Sequence, residues 1–470
     1  MVSGAAFAGA RNSFIIQKRK RSVTVKTAEQ SETELLKENS EDIYETRDYK
    51  KSRKAYIWQC TFEYLVTILV SDAFLAKLLS TIGMSDGLIG IISSFIALAF
   101  LFQLFSIFFV DKITNTKKTV IFFNTLSQLL FMCIYLVPFL PLGSGNKTVL
   151  ITVCVLFAYF GNYFVASILF KWANSFVNPK NRGEYSAGKE MVSLITGMVF
   201  TLIVGHVIDG YEALDNIQGG FLFTAISIFI LSVCNFVSLM LIKGDKTDKK
   251  DTAHQKRVTF GEVLKNTVRN KNFISVIVMT CLWDIARYLT TGFLGTFKTK
   301  DLLISVGTVQ IINLVANLCR FFISKPFGRY SDRTSYAKGI ELAYFIAAAA
   351  FAINMFTTKG TWWCIVIYTV LFNVSIAGTN QNYFNITYSY VKSDYFVQAT
   401  AIKNSIGGIC GFAASILGSK ILNFVQARGN MLFGVRIYGQ QLLSAMSCVI
   451  ILLSIVYVRF VVEKQKVMKQ

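Results

Sequence analysis

The chain has 470 residues, 53% of them hydrophobic and 14% aromatic, with a formal net charge of +21. Only 16% are charged, against about 25% in soluble domains, and apolar runs long enough to cross a hydrocarbon core of about 30 Å recur along the chain. These values exclude a soluble globular body and leave an all-α polytopic membrane protein.

The first 54 residues differ from the rest. "QKRKR" and the charged stretch after it contain no spanning run, and no apolar core of signal-peptide length precedes them. We read 1–54 as a cytoplasmic tail, with Lys18 to Arg21 placed to meet anionic headgroups. The acid-poor start before Glu29 offers organelle targeting as the lesser alternative.

Twelve spans follow, near 57–81, 87–110, 119–141, 148–171, 187–209, 219–242, 273–297, 302–325, 337–357, 362–386, 397–419 and 438–462. Turn or charge clusters such as "GMSDG", "PLGSGNK", "NPKNRGE" and "QARGN" separate them. The basic segment 243–272 divides the spans six and six, which predicts bundles over 55–242 and 273–470. With both termini on one side, that side holds 38 of the 48 Lys and Arg, the other holds 8, and Arg287 and Arg320 lie within spans. This asymmetry follows the positive-inside rule and predicts a cell-membrane protein with both termini cytoplasmic. Topology and lipid therefore account for the basic charge, and no nucleic-acid partner is expected. All nine cysteines fall inside spans with no metal-ligand spacing, so neither disulfide, metal nor other cofactor is expected.

The halves repeat one another. "AGKEMVSLITG" (187–197) matches "AIKNSIGGICG" (401–411), "VDK" (110–112) meets "SDR" (331–333), and "EYLVT" (63–67) meets "RYLTT" (287–291), at offsets that drift over only ten residues. Each half has an even number of spans, so the repeat is parallel. Between spans 8 and 9 stands "GRYSDRTSYAK" (328–338), which resembles the loop signature of the major facilitator superfamily through Gly328, Asp332 and Arg333; Ser335 and Tyr336 depart from it. "VDKITNTKK" keeps Asp111 and Lys112 of the first-half copy, and "NPKNRGEYSA" is similar to the family's segment after span 4. The resemblance covers 55–465. It implies two six-helix bundles, pseudo-two-fold about the membrane normal, with solute bound midway and with Asp111, Lys112, Gly328, Asp332 and Arg333 acting as gates. Asp111 and Asp332 equally suit helix capping.

Ionisable residues at bilayer depth are costly, so they mark function or a specific partner. On span 7, Thr280, Asp284, Arg287 and Thr291 form one helical stripe; the matching positions of span 1 are Tyr56, Cys60, Glu63 and Thr67. In the fold that the resemblance implies, Glu63 and Arg287 face each other across the cavity. Span 8 carries Gln310, Asn313, Asn317, Arg320 and Ser324 on one face, and spans 4 and 10 add Asn162, Asn373, Asn380 and Gln381. Interhelical glue is the bland alternative for these amides. Asp72 lies on the opposite side of span 1 from Glu63 and has no obvious partner, whereas snorkelling explains Lys189 and Lys403.

The expected protein is a monomeric secondary active transporter working by alternating access: a small polar or charged solute is bound by Arg287, Arg320 and the amides, with Glu63 and Asp284 exchanging protons. A multidrug efflux antiporter of the same fold is the nearest competitor, and a membrane receptor or scaffold a more distant one. An enzyme is not expected, since His206 and His254 stand without a nucleophile or carboxylate constellation.

Overall fold

No backbone group in a bilayer core can turn to water, so each crossing closes its own hydrogen bonds as a helix. The computed structural model describes residues 46–109, 113, 115–177, 182–243, 269–391, 396–432 and 434–465. Asp111, Lys112, His254 and most of the tail and of the 243–272 segment lie outside the described residues. In chain order the helices are α1 (Arg47–Leu69), α2 (Asp72–Thr81), α3 (Asp86–Ser93), α4 (Phe95–Phe109), α5 (Thr116–Leu136), α6 (Ser144–Asn174), α7 (Arg182–Ala213) and α8 (Ile217–Leu241). After the central segment come α9 (Lys271–Thr290), α10 (Val306–Arg333), α11 (Tyr336–Asn354), α12 (Trp363–Tyr390), α13 (Phe396–Ala427) and α14 (Gly439–Tyr457).

Among the described residues, eleven helical segments are long and apolar enough to cross a membrane. The predicted first span is not among them. It is cut into α1 and α2 at Val70 and Ser71, where Ser71 Oγ donates to the Ile68 carbonyl at 2.9 Å and Asp72 takes a left-handed φ of +43°. An aspartate tolerates that conformation better than most residues, and neither Gly nor Pro announces the break in "LVSDAF". The second span is likewise interrupted, at Ser94 between α3 and α4.

Two further departures concern ends. α9 is extended by a 3₁₀ turn (Thr291–Phe293), a short α turn and a π turn (Phe297–Asp301), so residues expected in a loop belong to the helical rod. α10 runs through Pro326 to Arg333, which makes "GRYSDR" helix rather than loop. "NMLFGVR" forms a small antiparallel hairpin, β1 (Met431–Leu432) with β2 (Val435–Arg436), that the sequence reading had as a plain connection.

Among the described residues, buried apolar side chains gather in four clusters, two of them large. One joins Leu65, Phe74, Phe131, Tyr135, Phe221 and their neighbours; the other joins Phe273, Trp283, Tyr344, Phe351 and Ile455. α1 packs on α7 and α8, and α9 on α13 and α14. The N-terminal and C-terminal sets meet along two seams, α4 with α13 and α7 with α10, and at one end where α2 abuts residues 294–296. At the α7–α10 seam two glycines oppose each other: a Cβ on Gly205 would stand 3.0 Å from Gly307 Cα. Small residues let helix backbones approach where no hydrophobic effect draws them together. Outward faces carry exposed Phe122, Val149, Ile195 and Phe322, the surface of a protein solvated by lipid.

Candidate functional site

Glu63 sits in the middle of α1, held by amides. Gln59 Nε2, one turn earlier, donates to Glu63 Oε2 at 2.6 Å, and Asn124 Nδ2 of α5 reaches the same oxygen at 3.4 Å. Asn235 of α8 donates to Asn124 Oδ1, which fixes the orientation of that amide. Asn162 of α6 also lies within hydrogen-bonding reach of the carboxylate, and Lys189 of α7 bears on it electrostatically. The Lys189 ammonium rests 5.0 Å from the centre of the Tyr56 ring. Lys189 therefore faces an acid, which snorkelling does not account for.

The C-terminal helices repeat the motif with other residues. Asp284 of α9 lies against α13 at Gly407, where any Cβ would collide with its carboxylate, so a side chain is excluded there. Arg287 and Lys403 are its charged neighbours. Lys403, expected to snorkel, is instead 4% exposed, with its ammonium 5.1 Å from the Tyr383 ring. Tyr383 and Tyr344 share a hydroxyl–hydroxyl hydrogen bond beneath it. Arg287 places its guanidinium 5.0 Å from the Tyr288 ring, a cation–π contact, with the Tyr163 and Tyr368 phenols close by.

Glu63 and Arg287 do not pair directly: among the described residues neither makes an ion pair within 4.0 Å. Tyr163 of α6 stands between them and interacts electrostatically with both. Glu63, Asp284 and Arg287 lie deep among the helices, yet each remains only half-buried. Groups that are surrounded by protein and still touched by solvent line an internal space.

A cavity of about 170 Å³, which none of these four residues lines, is bounded by Tyr64, Ser71, Thr201, Gln310, Asn317 and Asn373, among others. The polar face of α10 thus opens onto α1, α7 and α12. Asn313 also touches the cavity but donates from Nδ2 to Asp72 Oδ2 at 3.1 Å. Arg320 is half-buried one turn further along and lies near Tyr64. Asn380 and Gln381 are exposed and do not line this cavity; the Gln381 amide packs over Gly328. Asp332 and Arg333 are exposed at the end of α10 and form no ion pair among the described residues.

Asp72 has a partner that sequence reading missed. Lys298, within the π turn and only 5% exposed, binds its carboxylate at 3.1 and 3.2 Å. Close by, the Asp209 carboxylate accepts the Val306 and Gly307 N–H groups at 2.9 and 2.8 Å, capping α10 from α7. Lys300 reaches Asp86 at 3.0 Å. Each contact joins the N-terminal helices to the C-terminal ones at the face away from the start of α1 and the end of α14. The signals that could have found them are weak: lysines in a loop, and an aspartate seven residues after Leu202 that looks like an ordinary helix end.

A bundle of apolar helices with buried charges, an internal polar cavity and inter-half contacts at one face defines a membrane transporter. A family model described as the Major Facilitator Superfamily matches residues 60–415, and the chain belongs to that superfamily. Its fold is similar to the crystal structure of the nucleoside transporter NupG, with TM-score 0.64 and 12% identity over 90% of this chain and 100% of that one. A bacterial homologue of the iron transporter ferroportin, in an inward-facing state, aligns with TM-score 0.61 and 11% identity over 88% and 98%. A bacterial homologue of the human lysosomal transporter Spinster, inward-facing and unoccupied, aligns with TM-score 0.61 and 12% identity over 88% and 96%. At such identities the likeness concerns fold alone. No curated protein matches the chain by sequence.

Proposed function

We propose that this chain is a proton-coupled secondary active transporter that carries a small polar or charged solute by alternating access between two six-helix bundles, residues 55–242 and 273–470, with both termini cytoplasmic. The observation that carries the reading is the line Glu63, Tyr163, Arg287, Asp284, drawn from both halves and open to solvent while deep in the protein. Its two acids are the groups that can take up and release a proton. The amides Gln310, Asn317 and Asn373 on the cavity, with Arg287, Arg320 and Asn162, are the groups that can orient a solute.

In this mechanism the face bearing Asp72–Lys298 and Asp209 is the outer one, and it is closed, so the central space opens toward the cytoplasm. Substrate and proton bind from one side, the outer contacts break, and the opposite ends close. Proton and solute bias the same two-state equilibrium, so each alters the affinity for the other by the same factor. The groups that face Glu63 are Lys189, Cys60, Tyr56 and Tyr163; those that face Asp284 are Arg287, Lys403, Tyr288, Tyr344, Tyr383 and Cys281. Reconstituted protein should accumulate solute from a metabolite panel when a proton gradient is imposed. Glu63→Gln with Asp284→Asn should abolish that accumulation and spare solute exchange. Gradient-driven accumulation that survives both changes would refute the coupling.

A further inference from the structure

The charges at the centre do not balance. Three bases (Lys189, Arg287 and Lys403) and two acids (Glu63 and Asp284) form one electrostatically connected web across the two halves. Arg320 and Glu190 act on the Tyr64 phenol with opposite sign. One positive charge is therefore left over in the web, and among the described residues none of its members is within ion-pair distance of another. An unpaired charge that keeps only part of its contact with water is costly. Protonating either acid enlarges the surplus. Losing a proton from one lysine would remove it, and Arg287 would still hold its own charge.

The surroundings of Arg287 indicate what settles the balance. Its guanidinium is fixed over Tyr288 and bordered by the Tyr163 and Tyr368 phenols, all hydroxyl donors. No carboxylate holds it within 4.0 Å among the described residues, so its planar fork of donors is free to take two oxygens at once. Lys403 bears on Asp284 in one half, and Lys189 on Glu63 in the other. A carboxylate or a phosphate group presents the oxygens, the charge and the size that this arrangement lacks.

Building on the transport reading, we propose that the solute is a small organic anion whose anionic group is held by Arg287, with Lys189 and Lys403 adding to the positive field and its hydrophilic remainder directed to the amides of the polar cavity. Because the pocket is cationic in total, an arriving proton on Glu63 or Asp284 strengthens its hold on the anion, which makes the pair travel together.

The test uses the full chain purified in detergent and a panel of lactate, pyruvate, benzoate and inorganic phosphate, with lactamide, pyruvamide and benzamide as neutral isosteres and choline as a cation. At least one anion should raise the melting temperature saturably while its amide does not. Arg287→Gln should weaken that anion by roughly 10- to 150-fold, the range for a charge-assisted hydrogen bond. Lys403→Met should weaken it less, and Lys403→Arg should restore it. Should Arg287→Gln fail to fold, Arg287→Lys keeps the charge and loses the fork, and anion affinity should still fall. Amides that bind as well as their parent anions, stabilisation by choline alone, no response from any anion, or anion binding unaltered in both Arg287→Gln and Lys403→Met would each overturn the proposal. Flux assays separate the two readings: anion-selective binding without flux refutes transport alone, and flux of neutral or cationic solutes refutes the anion alone.

Discussion

Lys298→Met provides the sharpest test of the closed face. The Lys298 side chain is 6% exposed and that of Asp72 30% exposed, at 3.1 Å. A fully exposed pair contributes about 0–1 kcal/mol, and stranding one member of a fully buried pair costs about 3–5 kcal/mol. Here the stranded carboxylate keeps Asn313 and some solvent, so after discounting for screening the loss is about 2 kcal/mol. That corresponds to roughly a 30-fold shift in population toward states open at this face. Hydrogen exchange of the reconstituted protein should quicken in Asp72–Thr81 and in 294–301, the segments that the pair joins, and remain unchanged in α11 and α14. Lys298→Arg should preserve protection. Asp72→Asn should act like Lys298→Met without added backbone strain, because Asn also tolerates the left-handed conformation. Unchanged exchange in both segments, or strictly additive effects in the double variant, would refute the latch; a uniform rise across the chain would show that the pair supports the whole fold.

Asp209→Ala removes the acceptor of two N–H groups at the start of α10 and should cost about 1–2 kcal/mol at the same face, read as faster exchange at 306–309. Gly307→Ala places a Cβ 2.5 Å from Asp209 Oδ2 and should lower the melting temperature, through overpacking of about 1–3 kcal/mol. Gly407→Ala drives a methyl group into the Asp284 carboxylate and should impair gradient-driven uptake more than it impairs insertion, measured by uptake normalised to folded protein. Asn124→Leu leaves the Glu63 carboxylate one donor poorer and strands Asn235; uptake should shift its pH profile, and an unaltered profile would remove Asn124 from the acid's surroundings.

Much of the helical plan was legible because lipid imposes one rule on every crossing, and apolar length alone reports it. The stripes on spans 1, 7 and 8 were legible for the same reason, since polar residues at that depth need a cause. What periodicity does not carry is which helix faces which. Lys298 meets Asp72 across 226 positions of chain, and nothing local to either residue announces the other. Lys403 reads from sequence as any lysine near a helix start; only the packing of α13 on α9 shows that it is enclosed beside Asp284. The cut at Ser71 was illegible because the residues there lack the usual helix breakers, and the left-handed turn is held by contacts from distant segments. Asn380 and Gln381 show the same limit: polarity on α12 does not tell which of its amides borders the cavity, and Asn373 is the one that does.

The cut in the first crossing separates two tasks along a single stretch of chain. Glu63 rides on the longer rod with α7 and α8, while Asp72 begins a short rod fastened to the other half. A continuous helix would drag the acid whenever its far end was pulled. With a joint at Val70 and Ser71, the short rod can let go of Lys298 while the carboxylate keeps its amide cage; under the proposed transport cycle, holding a proton and releasing that contact are then separable events.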